Sequence, residues 1–211
     1  MYNALLQLKQ TGTRSLDDLD GKIIKMCAHV ITETVTYIYN LCIDKNYFPK
    51  AFKQAKIIPI YKSGDNKDPS NYRPNSILSV LSKPLEKHIS KHLLSYLKTN
   101  ELIHPIQSGF REHHSCHTAL TTLVDTFYKN INNNEFTGVL FVAFAKASDV
   151  INHDLLLRKL ALYGLSNDTM HLIFSFLSNR EQLVCINTIK SNFLPVKYSI
   201  PQETCFSFLS T

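Results

Sequence analysis

Much is missing from these 211 residues. No run approaches the ~18 consecutive apolar residues of a membrane span. The opening MYNALLQLKQTGTRS lacks the apolar core of a secretion signal. The five cysteines, Cys27, Cys42, Cys116, Cys185 and Cys205, are scattered, odd in number and never spaced as CxxC. Free, mostly buried thiols in a reducing compartment are expected, not a disulfide framework. The absence of GxxxxGK[ST] excludes a P-loop nucleotidase. The absence of GxSxG removes a hydrolase nucleophile elbow. Internal repeats, low-complexity linkers and blocks of like charge are absent as well. These absences predict an intracellular protein, in nucleus or cytoplasm, with no membrane segment.

What is present is a globular balance. The chain is 44% hydrophobic and 19% charged, which argues against disorder. Its length allows one large domain or two small ones. A net charge of +6 favours an anionic partner, nucleic acid before membrane, although many basic proteins bind neither.

Hydrophobic periodicity predicts one helix over residues 22–43, with Ile23, Cys27, Val30, Ile31, Thr34, Ile38 and Leu41 on its apolar face and Asp20 as its cap. AKIIPIYKSGD, residues 55–65, reads as a strand, and Pro59 implies an edge position. SGDNKDPSN, residues 63–71, is a turn. Leu85, Ile89, Leu93 and Leu97 recur every four residues and predict an amphipathic helix, with Ser82 as a cap and Pro84 tolerated in the first turn. QSGFREHHSCHTALTTLVDTFYKNI begins as a loop and becomes a helix with Ala119, Leu123, Thr126 and Phe127 on its face. Val139 to Phe144 reads as a short buried strand. Helices over 153–163 and 168–178 and two strand-like runs, EQLVCIN and FLPVKYS, follow. The fold class expected is α/β (α+β) with strands paired across long sequence separations.

Few local motifs carry chemistry by themselves. HHSCH, residues 113–117, offers metal-ligating side chains, but adjacent histidines point apart and no second cluster stands at finger-like spacing. A polar lead into a helix is the better reading. Lys62 and Arg73 flank the turn at 63–71 and could converge on a triphosphate as a point charge and a planar fork. Surface cations beside turns are common, so the bland alternative stands beside this one. Lys50, Lys53, Lys56, Lys62, Lys67 and Arg73 also cluster in sequence and offer backbone phosphates a basic surface.

Taken in order, FPKAFKQAKIIPIYKSGD, PSNYRPNSILSVLSKPLEKHI, QSGFREHHSCHTAL, GVLFVAFAKASDVINHDLLLRKLALYG, FLSNREQLVCIN and SIPQETC resemble the reverse transcriptase of non-LTR (LINE-type, jockey-like) retrotransposons. The resemblance runs from about Leu16 to the end. It implies a right-hand polymerase fold with a 1–15 extension, a fingers-like region over 16–135 and a partial palm over 136–211. It implies nucleotide-binding roles for Lys62, Arg73 and Gln202. It also places Gln107, Gly109, Phe110, Arg111, Ser148, Asp149 and Pro201 near template or nucleotide. An RNA/DNA primer-template as partner and Mg2+ as cofactor follow from the family in the same way.

Departures from the family pattern are equally specific. Where the family writes FLDLSKAFDTVNHDLL, this chain writes FVAFAKASDVINHDLL. Ala143 therefore stands at the first metal-binding aspartate and Ser148 at the phenylalanine steric gate. Asp149 matches the second acid of the motif, which is not the metal ligand. Glu203 replaces the glycine after Pro-Gln, and SLDDLDG replaces a GLDGI-like lead-in. No [FY]-A-D-D hairpin and no thumb follow within these residues. The expectation is a degenerate, truncated reverse transcriptase domain with no intact catalytic residue and no productive metal binding. A non-catalytic nucleic-acid-binding module and an unstable relic are the alternatives.

Overall fold

A computed structural model describes residues 1–9, 14–142 and 151–198. It shows seven α-helices and five strands among them. In chain order they are α1 (Tyr2–Leu6), α2 (Gly21–Met26), α3 (Ala28–Asp44), β1 (Gln54–Tyr61), β2 (Tyr72–Ile77), α4 (Ser82–Thr99), α5 (Cys116–Asn132), α6 (His153–Leu162), α7 (Asn167–Leu177), β3 (Arg180–Ile186), β4 (Ile189–Lys190) and β5 (Leu194–Val196). The mixed α/β class is as expected.

The predicted helix at 22–43 is two helices. Asp20 caps the first, accepting from the Lys22 amide at 3.1 Å, and the chain breaks at Cys27 before restarting. The buried face also differs from the expected one. Ile24, Ala28, Val35, Tyr39 and Cys42 are buried, whereas Ile23, Val30, Ile38 and Leu41 are exposed. The segment is apolar on two faces, so periodicity alone does not choose between them. The face bearing small Ala28 joins the core cluster that holds Leu5 of α1. Two of the four described cysteines, Cys27 and Cys116, are exposed, contrary to the expectation of mostly buried thiols.

α4 follows its prediction closely. Leu85, Ile89, Leu93 and Leu97 are all buried, and Pro84 lies in the first turn. Ser82 is not the cap, however. It is the first helical residue, and its hydroxyl donates to the Ser79 carbonyl at 2.8 Å, a partner it needs because it is fully buried. With α4 at its centre, the main core gathers Leu5, Leu8, Phe48, Leu156, Leu160 and the α7 residues Leu172, Ile173, Phe176 and Leu177.

The sheet runs β2-β1-β3, with β4 and β5 both antiparallel to β3. β1 and β2 form an antiparallel hairpin, and β1 pairs with β3 in parallel across a crossover of more than a hundred residues. Pro59 is therefore not on an edge strand. Its position is still lawful: the β3 ladder ends at Ile57, and Pro59 faces Pro74 across the hairpin. Neither proline has an N–H to give, so this is a non-hydrogen-bonded pair.

The starts of β1 and β3 are fastened to the C-terminus of α7. Lys53 Nζ donates to the Ser175 carbonyl at 3.0 Å and Arg180 Nη1 to the Phe176 carbonyl at 2.9 Å. Cations at that end of a helix complement its dipole and satisfy its last carbonyls. Burial pushes Arg180 down to about 10, with Glu86 pulling the other way. Lys53 is likewise pushed down, by burial and then by Arg180.

α5 has a strong local start. Ser115 and Thr118 form a reciprocal capping box. Yet none of its residues is buried; of the expected face, Leu123 and Phe127 are half-buried and Ala119 and Thr126 are exposed. The expected buried strand over 139–144 is also not found in its described part. Residues 139–142 are exposed and pair with no strand. A buried strand needs a neighbour on its edge, and the described sheet provides none there. Among the described residues, no helix is long and apolar enough to cross a membrane.

Candidate functional site

The β1–β2 hairpin decides where Lys62 and Arg73 stand. Side chains alternate between faces along a strand, and directly paired residues share a face. The register pairs Ile60 with Arg73, and the Lys62 amide donates to the Asn71 carbonyl at 2.9 Å. Lys62 and Arg73 therefore project from one face as diagonal neighbours, about 7–8 Å apart at the backbone. Both are exposed, and among the described residues neither side chain has a hydrogen bond or ion pair. The opposite face carries Ala55, Ile57 and the Tyr61–Tyr72 edge-on pair, with ring centroids 5.6 Å apart.

The connecting loop is tied to itself. Tyr61 donates to the Gly64 carbonyl at 2.6 Å, Asn71 to the Asp65 carbonyl at 2.9 Å and Tyr72 to the Asn66 carbonyl at 2.8 Å. Gly64 has φ +98°, and a Cβ there would lie 2.7 Å from the Asn71 amide nitrogen. Only glycine fits this turn without strain. Asp68 accepts from the Ser70 amide at 2.8 Å, and that bond holds its carboxyl below the ordinary range. The result is an ordered turn that presents two unneutralised cations.

The basic run expected from sequence is divided by the fold. Lys53 is buried and serves α7, and Lys50 lies 3.5 Å from the Glu181 carboxylate. Lys56 reaches the Arg14 carbonyl at 3.5 Å. Of the six, only the Lys62, Lys67 and Arg73 side chains are exposed with no partner among the described residues.

Gln107, Phe110 and Arg111 gather elsewhere, in a solvent-open cleft against α4 and α6 that Lys62 and Arg73 do not line. Arg111 Nη1 donates to the Pro105 carbonyl at 2.8 Å and the Gln107 carbonyl at 3.2 Å. Phe110 has φ +57° and is exposed. Gly109 has open space where a Cβ would go, so local packing does not demand glycine there. Lys159 of α6 and Tyr163, just past its end, also line the cleft. The sequence reading missed both, because no motif joins residues some fifty positions apart. Ala143, Ser148, Asp149, Pro201 and Gln202 lie outside the described residues. His113, His114, Cys116 and His117 belong to no metal-holding group; among the described residues no three His, Cys, Asp or Glu side chains gather.

Comparison with known proteins covers most of the chain. Residues 60–202 match the family described as reverse transcriptase (RNA-dependent DNA polymerase). The RNA-directed DNA polymerase from mobile element jockey of Drosophila melanogaster is 32% identical over 201 residues, covering 94% of this chain and 22% of the relative. Its counterpart in Drosophila funebris is 30% identical over 197 residues, covering 93% and 21%. The probable RNA-directed DNA polymerase from transposon BS of Drosophila melanogaster is 28% identical over 172 residues, covering 78% and 18%. The chain spans about a fifth of the length of these curated relatives.

Proposed function

The chain belongs to the reverse transcriptase (RNA-dependent DNA polymerase) family, as a reverse transcriptase domain of the non-LTR retrotransposon type, and from that premise we propose that it binds nucleotide and primer-template but does not polymerise. We read residues 16–135 as fingers-like and 136–211 as a partial palm. The observation that carries the binding half is the placement of Lys62 and Arg73. Two exposed cations, with no partner among the described residues, share one face of an ordered hairpin. A lysine point charge beside a planar guanidinium suits a triphosphate. Gln202 would join them at the nucleotide, and Gln107, Gly109, Phe110, Arg111, Ser148, Asp149 and Pro201 would lie near template or nucleotide.

The other half rests on the donor set. Reverse transcriptases generally use divalent metal ions, magnesium being the hard cation that carboxylates and substrate phosphates hold. The residues here do not fit that group. Position 143 carries a methyl side chain that coordinates nothing, and these 211 residues contain no [FY]-A-D-D. No step is therefore assigned to a metal.

Two variants test the reading. Lys62→Ala with Arg73→Ala weakens binding of deoxynucleotide and primer-template by about tenfold or more, the loss of roughly 1.5 kcal/mol or above from charged hydrogen bonds. Unchanged affinity removes both residues from the site. Ala143→Asp alone restores no primer extension, because one carboxylate does not make a two-metal site. Extension above background by that variant contradicts the inactivity.

A further inference from the structure

The outer face of α4 is charged in one sense only. Opposite the buried Leu85–Ile89–Leu93–Leu97 stripe, helical spacing places Lys87, Lys91 and Lys98, flanked by His88 and His92. All five are exposed. The helix has a single carboxylate, Glu86, and it is fully buried on the core side. Lys91 has no hydrogen bond or ion pair among the described residues. Among the described residues the Lys87 ammonium meets only the neutral Gln7 side chain, at 3.4 Å. Lys98 alone is paired, with Glu112 at 3.3 Å, and both are exposed enough for that bond to exchange with another anion.

The His88 and His92 rings sit edge-on, 4.6 Å apart. Burial, and then His92 and Lys91, push His88 below its ordinary value.

At 1.5 Å per residue, Lys87 and Lys91 are about 6 Å apart along the axis, and Lys87 to Lys98 spans about 17 Å. Each exposed lysine can neutralise one phosphate of a polyanion, and such contacts need no base edges.

We propose that the outer face of α4 is a sequence-independent docking surface for the phosphodiester backbone of nucleic acid, distinct from the hairpin site. The choice of nucleic acid over other polyanions rests on membership of the reverse transcriptase family. The surface itself rests on the one-signed face of α4.

The test is a salt titration of the full chain against two labelled probes, a single-stranded RNA and an RNA–DNA duplex of equal length. Lys87→Gln with Lys91→Gln is compared with the parent, and with Lys62→Ala/Arg73→Ala. Both glutamine positions are exposed, so unchanged thermal unfolding verifies the fold. The slope of log affinity against log salt should become shallower by about 1.5–2 in the α4 variant, on whichever probe binds. If the two variants act at separate surfaces, their effects add. A loss in the α4 variant with none in the hairpin variant upholds this surface and removes the hairpin site. An unchanged slope in the α4 variant overturns the proposal, as does an absence of binding by the parent at low salt. Selective binding of the parent to anionic vesicles, with neither nucleic acid bound, also overturns it.

Discussion

α4 and α5 are nearly the same length and both carry a clear apolar stripe, yet one is the centre of the core and the other has no fully buried residue. α4 runs 18 residues with four leucine or isoleucine side chains all but sealed from solvent. α5 runs 17 residues with a better N-terminal cap, but Leu120, Val124, Tyr128 and Ile131 are exposed. The same holds for residues 139–142 that follow. The pair separates two things that sequence patterns tend to merge. Capping and periodicity make a helix; burial needs a surface for it to meet. The buried residues of α4 join those of α1, α3, α6 and α7 in one core cluster, and among the described residues that cluster includes none from α5.

That comparison can be broken by mutation. Leu85→Ala should cost about 2–5 kcal/mol, because a fully buried side chain leaves a cavity. Leu120→Ala on α5, more than half exposed, should stay within about 0.5 kcal/mol. Urea unfolding midpoints measure both. Equal costs would mean that α5 is packed after all.

Ser115→Ala should cost about 1 kcal/mol of α5 stability, by removing the hydroxyl that accepts from the Thr118 amide at 3.2 Å. The effect should be local. Hydrogen exchange should quicken at amides in the first turns of α5 and stay unchanged in α4. A matching change in α4 would show the two helices to be one cooperative unit.

A comparable effect belongs to the junction of α3 and α4. Tyr39 donates to the Leu81 carbonyl, tying α3 to the start of α4. Burial, then Cys42 and Glu86, push its phenol above the ordinary value of 10. A raised folded pKa means that the contribution is complete below pH 10 and is lost as pH climbs beyond it. Tyr39→Phe should cost about 1 kcal/mol at neutral pH. It should also flatten the fall in stability between pH 10 and 11. A variant with the parent's alkaline profile would show that another group governs it.

How much was legible follows the same physics. The stripe of α4 could be read because only one of its faces is apolar. The buried face of α2 and α3 could not, because Ile23, Val30 and Leu41 compete with Ile24, Val35 and Tyr39, and only the tertiary partner settles which set is covered. Lys62 and Arg73 were legible as residues of a motif. Their common face was not, since a ten-residue loop leaves hairpin register undetermined by local turn chemistry. Lys53 read as part of a basic surface but is buried at the end of α7, a contact between segments 122 positions apart. Lys159 and Tyr163 entered the Arg111 cleft for the same reason: long-range packing leaves no local signature.

The most direct measurement is fluorescence anisotropy of a labelled RNA–DNA primer-template titrated with this chain at two salt concentrations, beside Lys62→Ala/Arg73→Ala, with primer extension assayed in the same samples. The account predicts binding that weakens steeply with salt, a loss of about tenfold or more in the variant, and no extension by either protein. Extension by the parent chain, or binding indifferent to both salt and the two substitutions, would contradict it.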